Sequence, residues 1–186
     1  MKRVIDLFIA LILIIPISML IVIFGIVIKI SSKGPMLYWS DRIGKNNDIF
    51  RMPKLRSMKI GTPIVATHLL DNPDIFLSSV GGFLRHSSLD ELPQLFSVLK
   101  GDMSFIGPRP ALYSQADLIS LRTQKGVEKL LPGITGWAQV NGRDELSIFD
   151  KVALDVEYLN RQSFWFDVKI LWMTFLKVIK RDGVSH

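Results

Sequence analysis

From Leu7 to Ile28 the chain carries 22 consecutive residues without a charge. At about 1.5 Å of rise per residue, a helix of this run would be roughly 33 Å long, enough to cross a hydrocarbon core. The run is too long for a signal peptide and ends without a small-x-small cleavage site, so it reads as a retained segment. Pro16, near its middle, removes a backbone hydrogen bond and favours a kink, and Ser18 stands close enough to re-satisfy the freed carbonyl. Both flanks are basic, with Lys2 and Arg3 before the run and Lys29, Lys33, Arg42, Lys45 and Arg51 after it. Cationic flanks favour the cytoplasmic side, and that preference is best met with both ends there. A bent re-entrant helix satisfies the proline and the charges together; an ordinary kinked transmembrane helix satisfies the proline alone. The residues themselves leave both readings open. Asp6, one turn after Lys2 and Arg3, reads as their partner in an interfacial ion pair.

Outside this run the composition narrows the chemistry. With 23 Lys and Arg against 17 Asp and Glu, the net charge of +6 suits an anionic partner: a membrane surface, a nucleic acid or a phosphorylated small molecule. The chain has no cysteine, which excludes disulfides, thiolate nucleophiles and cysteine-based zinc sites. His68, His86 and His186 are scattered, which argues against a histidine-rich metal site.

The turn Ser31-Ser32-Lys33-Gly34-Pro35 ends the apolar pattern, dividing the chain into an anchor over residues 1–33 and a globular domain over 34–186. Met36–Ser40 and Ile49–Met52 read as two short strands of a hairpin. Lys54 and Arg56, one residue apart on an extended segment, face the same way and suit a phosphate. Gly61–Ser79 reads as a long surface loop with at most a short helix. In Ser88-Leu89-Asp90-Glu91-Leu92-Pro93-Gln94-Leu95, Ser88 and Glu91 match a capping box, whereas Pro93 fits the first helical position if Leu92 is the cap. Either frame sets Asp90 and Glu91 at a helix N-terminus, where the dipole favours ionised carboxylates suited to a nucleophile or a magnesium ligand. That helix runs to Lys100 and is closed by Gly101. Arg109 lies between Pro108 and Pro110, which stiffen the backbone that presents its guanidinium.

Ala111–Lys129 has the pattern of a polar surface helix interrupted near Gly126, and residues 131–143, with three glycines and a proline, suit sharp turning and close backbone approach. Arg143 is a further candidate phosphate clamp. Ser147–Asn160 returns to helical spacing with Phe149, Val152, Val156 and Leu159 as its apolar side. Phe164–Arg181 sets Trp165, Val168, Trp172, Phe175, Leu176 and Ile179 opposite Lys169, Lys177 and Lys180, a pattern shared by interfacial membrane helices and core-packed amphipathic ones.

Six collinear blocks carry a resemblance that covers nearly the whole chain. They are Lys2-Arg3-x-x-Asp6, Lys54-x-Arg56-Ser57-Met58, Ser88 through Leu95, Lys100-Gly101-Asp102-Met103-Ser104, Gly107-Pro108-Arg109-Pro110, and Pro132-Gly133-Ile134-Thr135-Gly136-Trp137-Ala138-Gln139-Val140-Asn141-Gly142-Arg143. With these the chain resembles a minimal form of the small monotopic phosphoglycosyl transferases of bacteria, within the bacterial sugar transferase family that starts glycan assembly on a polyprenol carrier. The resemblance implies an α+β fold: an N-terminal re-entrant membrane helix plus a small mixed globular domain with interfacial amphipathic helices, on the cytoplasmic face of the bacterial inner membrane. It implies transfer of a sugar 1-phosphate from a UDP-sugar to undecaprenyl phosphate, a polyprenol phosphate, with release of UMP. Asp90 would be the nucleophile, holding the sugar phosphate covalently between the two steps. Glu91 would assist, both carboxylates would be ligands to Mg2+, Arg109 would contact the nucleotide or phosphate, and Lys54, Arg56, Arg85 and Arg143 would be secondary clamps. Membrane phospholipid would be a partner and nucleic acid would not. Two positions depart from the family pattern: Leu131 stands where a basic residue is common, with Lys129 as a possible substitute, and Pro16 precedes Ser18 by two residues where the family often breaks its helix at a Ser-Pro pair.

The alternative from composition is an anchored basic module that binds anionic lipid or nucleic acid without catalysis. It accounts for the charge and leaves the adjacent carboxylates and the stiffened Arg109 without a purpose.

Overall fold

The computed structural model describes residues 2–63, 72–142 and 145–180. Its first element, α1 (Lys2–Ser31), is one continuous helix with Pro16 inside it, long and apolar enough to cross a membrane, with a mean hydropathy of 3.2 in its most apolar window. A hairpin follows, β1 (Leu37–Ile43) and β2 (Ile49–Leu55), antiparallel with Leu37 opposite Leu55 and Ile43 opposite Ile49. Both strands are longer than the alternation alone indicates, because cross-strand pairing extends them past the strictly alternating residues. A 3-10 turn at Pro73–Phe76 matches the short helix expected in the surface loop, whose residues 64–71 lie outside the described residues.

The chain then forms α2 (Gly81–His86), a 3-10 turn at Leu89–Glu91, and α3 (Gln94–Lys100). Gly101, at φ 103°, closes α3 as expected, letting three successive amides, those of Gly101, Asp102 and Met103, all point at the carbonyl of Ser97. Strand β3 (Ser104–Ile106) lies parallel to β4 (Gly133–Thr135), and the crossover between them carries α4 (Ala116–Gln124) and a 3-10 turn after Gly126 at φ 79°. The stretch expected to turn sharply and allow close backbone approach does so at Gly133 and Gly136, and it also contains a strand and a short helix, α5 (Trp137–Val140), that the sequence pattern does not mark. Two helices finish the fold: α6 (Ile148–Arg161), capped by Ser147 Oγ accepting from Asp150 N at 3.1 Å, and α7 (Phe164–Lys180).

The apolar run is built into this fold. Asp6, Ala10, Ile21, Gly25 and Ile28 recur at helical spacing along one buried stripe of α1, while Phe8, Leu11, Ile15, Met19, Val22 and Ile26 face outward. Ala10 packs with Phe50, Met52, Leu95, Val98 and Met103, and Ile21 and Ile28 pack with Leu55 and Leu84. The N-terminal end is tied by Arg3, whose guanidinium donates to the carbonyls of Val98 (2.5 Å) and Leu99 (2.9 Å) at the end of α3, and by Lys2, paired with Asp167 of α7 at 2.6 Å. Asp6 is not the partner of Lys2 and Arg3: it is buried, and its Oδ1 accepts the backbone N–H of Phe105 at 3.2 Å. A buried carboxylate needs a donor, and the β3 edge supplies one.

Behind the sheet of β3 and β4, Ile106, Val140, Tyr158, Phe166 and Ile170 form a second core. Helix α6 buries Val152, Asp155 and Tyr158, whereas Phe149, expected on its apolar side, is 76% exposed in the first turn of the helix. In α7 the core takes Phe166 and Ile170, leaving the expected face of Trp165, Val168, Trp172 and Phe175 exposed. This helix is thus apolar on two sides, inward to the core and outward.

Candidate active site

Ser88 adopts the left-handed conformation (φ 55°), and that reversal starts the tight turn carrying Leu89, Asp90 and Glu91 in front of α3. The capping box does not form. The Ser88 hydroxyl caps no amide; its backbone N–H donates to the Arg85 carbonyl at 3.0 Å and its carbonyl accepts from Glu91 N at 3.2 Å. Pro93 stands immediately before α3 at φ −63°, the conformation its ring already imposes. Relieved of capping, the Glu91 side chain reaches Lys54 of β2 (Nζ to Oε1, 2.8 Å) and Arg109 (Nη2 to Oε1, 3.3 Å). A single carboxylate oxygen therefore joins the hairpin to the Pro-Arg-Pro turn.

Asp90 is buried, at 7% exposure. Burial raises its pKa above the ordinary aspartate value, opposed by Lys54, reinforced by the like charge of Glu91, and opposed further by Arg85 of α2 and by Arg109. Burial thus acts on Asp90 in the direction opposite to the ionised form that a helix N-terminus favours. Arg42 of β1 joins the same electrostatic neighbourhood. Its Nη1 donates to the carbonyl of Pro110 at 3.2 Å and its Nε to Ser40 Oγ at 2.9 Å, and its pKa falls to about 10 through burial first and repulsion from Arg109 second. The cations Arg42, Lys54, Arg85 and Arg109 thus share a partly dry site with two carboxylates, an excess of positive charge suited to an anionic ligand.

Not every expected clamp converges there. Lys54 and Arg56 have different partners: Arg56, 6% exposed, donates Nη2 to the carbonyl (3.1 Å) and hydroxyl (2.6 Å) of Ser32, just past the end of α1. Its guanidinium thereby sits at the negative end of that helix, where a cation is favoured. Arg143 lies outside the described residues. Leu131 is half-buried and Lys129 exposed.

Sequence reading missed Arg42, Arg122 and Asp155. Arg122 of α4 donates Nη2 and Nε to Asp155 Oδ2 at 2.7 and 2.9 Å, and Nη1 to the backbone carbonyl of Arg109 at 2.9 Å. Asp155 is 1% exposed, and burial raises its pKa against the pull of Arg122. A signal for it was present: a carboxylate lying among the apolar positions of α6, between Val152 and Tyr158.

Asp90 and Glu91 offer adjacent oxygen donors, and among the described residues no group of three or more ligating side chains could hold a metal ion alone. That donor set fits magnesium, which is commonly held through one or two carboxylates together with substrate phosphates.

Comparison with known proteins agrees with this geometry. The model of the family described as bacterial sugar transferase matches residues 1–181. An undecaprenyl-phosphate glucose phosphotransferase of Komagataeibacter xylinus is 38% identical over 196 residues, covering 100% of this chain and 36% of the relative. The UDP-glucose:undecaprenyl-phosphate glucose-1-phosphate transferase of Escherichia coli K12 is 37% identical, covering 95% of this chain and 40% of that protein. A third relative, the uncharacterized sugar transferase EpsL of Bacillus subtilis strain 168, is 38% identical, with 100% of this chain aligned to 91% of its length. The chain thus spans well under half of the first two relatives and nearly all of the third.

Proposed function

The chain belongs to the bacterial sugar transferase family, and on that footing we propose that it transfers a sugar 1-phosphate from a UDP-sugar to undecaprenyl phosphate, giving a polyprenol diphosphosugar and UMP. The observation that carries this reading is the buried Asp90 beside a Glu91 oxygen shared by Lys54 and Arg109. The reaction proceeds in two displacements. An Asp90 carboxylate oxygen attacks the β-phosphorus, the bond from that phosphorus to the bridging oxygen breaks, and UMP leaves with the electron pair. A phosphate oxygen of the polyprenol phosphate then attacks the same phosphorus and returns Asp90 as a carboxylate. Arg109 and Lys54 exchange part of their hold on Glu91 for the diphosphate oxygens, while Arg85 and Arg42 stabilise the charge that builds between two anions. Asp90 and Glu91 would hold Mg2+, which when bound neutralises the diphosphate. Arg143 stays a proposed further clamp; Arg56 is assigned to α1 and not to the phosphate.

Raised pKa and nucleophilic role are compatible. A carboxylate freed from water is less stabilised as an anion and more reactive toward phosphorus once ionised, and the surrounding cations keep that ionised form accessible. We assign α1 to the membrane as a re-entrant helix and α7 to its interface, with the domain on the cytoplasmic face. Charged or polar contacts to the same domain at both ends of α1, through Lys2, Arg3 and Asp6 and through Ser32, support this over a span that would send those ends to opposite faces.

The test combines purified protein, Mg2+, undecaprenyl phosphate and a panel of UDP-sugars, with UMP as readout. Acceptor-independent trapping of one sugar phosphate per protein, abolished by Asp90→Asn, is the expected sign of the covalent step. Release of no UMP from any sugar in the panel would sink the reaction, and full turnover by Asp90→Asn would sink the nucleophile. Topology is read by labelling cysteines placed beside Met1 and Lys33 in this cysteine-free chain, and labels on opposite faces exclude the re-entrant arrangement.

A further inference from the structure

Arg109 is stiffened by its two prolines, but stiffness does not by itself say where the guanidinium lies. Pro108 and Pro110 fix their own φ, and Pro110 restricts Arg109 to extended backbone; the turn can still tilt as a unit. Two other guanidinium groups remove that freedom. Arg122 Nη1 takes the carbonyl of Arg109 at 2.9 Å and Arg42 Nη1 takes the carbonyl of Pro110 at 3.2 Å, so successive peptide planes are gripped from α4 and from β1.

Arg122 is in turn immobilised. Two of its nitrogens share Asp155 Oδ2, and the pair is dry, with side-chain exposures of 12% and 2%. A buried ion pair offers little net stability over well-packed apolar side chains, because desolvating the two charges offsets their attraction. What the pair supplies is direction. The planar fork of arginine holds Asp155 with one edge and the Arg109 carbonyl with the remaining nitrogen, which the single ammonium of lysine cannot do.

We infer that Arg122, oriented by Asp155, is a positioning residue of the transfer reaction, acting through Arg109 by fixing the Pro-Arg-Pro turn. This rests on the proposed role of Arg109 at the diphosphate. The Arg109 guanidinium stands 3.3 Å from Glu91, longer than a tight charge-assisted bond, and is about a third exposed, so a shift of the backbone that carries it moves it relative to the diphosphate site. A misplacement of about 1 Å at such a group costs on the order of 100-fold in rate.

The test is a double-mutant cycle between position 122 and Arg109 in the full-length protein, read as kcat/KM for UMP release and as the dissociation constant for the UDP-sugar, which needs no turnover. Arg122→Lys keeps the charge near Asp155; the joint replacement Arg122→Met with Asp155→Leu removes both buried charges, so that at least one version folds, as checked by thermal melting. Each should lower kcat/KM about 100-fold with KM for polyprenol phosphate unchanged. In an Arg109→Ala background the same changes should cost less than about threefold in either readout. Losses that multiply in the double variants, or wild-type rates in Arg122→Lys and the joint replacement, overturn the inference. A wild-type protein that releases no UMP, or an Arg109→Ala variant at full activity, would instead refute the reading of the site on which it rests.

Discussion

Gly107→Ala should damage both stability and turnover, through steric conflict alone. Gly107 ends β3 against β4, and a Cβ there would stand 2.9 Å from Gly133 N, 3.1 Å from the Pro132 carbonyl carbon and closer still to the Leu131 oxygen. All three are backbone atoms that cannot rotate away, so the strands must part. Two hydrogen bonds span that point, Gly107 N to Thr135 O and Gly133 N to Pro108 O, both 2.9 Å. Weakening both costs about 2 kcal/mol at roughly 1 kcal/mol each, and overpacking adds about 1–3 kcal/mol. The midpoint should fall by about 6–20 °C at 2–4 °C per kcal/mol for a chain of this size. Arg109 follows two residues later, so UMP release should fall by about 100-fold from its displacement. Gly82→Ala is the control: its Cβ meets only Leu77 Cδ1 at 3.7 Å, within α2, and should leave activity intact while raising stability by about 0.5–1 kcal/mol. The assay pairs circular dichroism melting with UMP release. A Gly107→Ala protein that melts and turns over like the parent refutes the argument that close strand approach places the Arg109 turn.

Other consequences follow from individual contacts. Because burial raises the pKa of Asp90, the native state binds its proton more readily than the unfolded chain, so this group's contribution to stability is greatest at low pH and declines as pH rises through the raised value. Asp90→Asn should therefore abolish UMP release without lowering the melting temperature at pH 7, and the acid limb of the parent's rate profile should lie above the ordinary carboxylate range; a large loss of stability in the variant would show that the charge is a structural necessity. Arg56→Ala should lower stability by about 2–3 kcal/mol through loss of a buried guanidinium bound at Ser32, with little change in KM for the UDP-sugar. Lys54→Ala should do the reverse, and the two KM values measured side by side decide whether the strand clamps phosphate with one cation or two.

The legible and illegible parts of the site differ in what the side chains hold. Asp90, Glu91, Lys54 and Arg109 were readable because side-chain chemistry explains their occurrence in pairs and between prolines. Arg42 and Arg122 grip backbone carbonyls of residues far away in sequence, and no local pattern records which carbonyl a cation will meet. Arg56 shows the converse error: alternation set it on a strand facing the same way as Lys54, but β2 ends at Leu55 and Ser32, just past the end of α1 and 24 residues earlier, takes its guanidinium. Elements were readable where a cap or period was strong, as at Gly101, Gly126 and Ser147. They were lost at Gly133–Thr135, where three residues become a strand only because β3 lies alongside.

The boundary at residue 33, clear in hydropathy, is crossed by the packing. Ala10, Ile21 and Ile28 are buried against β2, α2 and α3, with Leu13, Ile14, Ile17 and Phe24 partly so. At about 1.5–3 kcal/mol for a fully buried aliphatic side chain, these contacts are worth on the order of 6–10 kcal/mol, comparable to the whole stability of a typical domain at about 5–15 kcal/mol. Without α1, Phe50, Met52, Leu55, Leu84 and Leu95 would meet water, and the end of α3 would lose the Arg3 contacts to two carbonyls. Residues 34–186 expressed alone should therefore show helical far-ultraviolet circular dichroism without a cooperative melt or a native near-ultraviolet signal from their tryptophans, and no UMP release. A cooperative, active fragment would mean that the helix only tethers the domain; a molten one would mean that α1 and the rest of the domain fold as one unit, which ties the Asp90 turn in front of α3 directly to the apolar N-terminal helix.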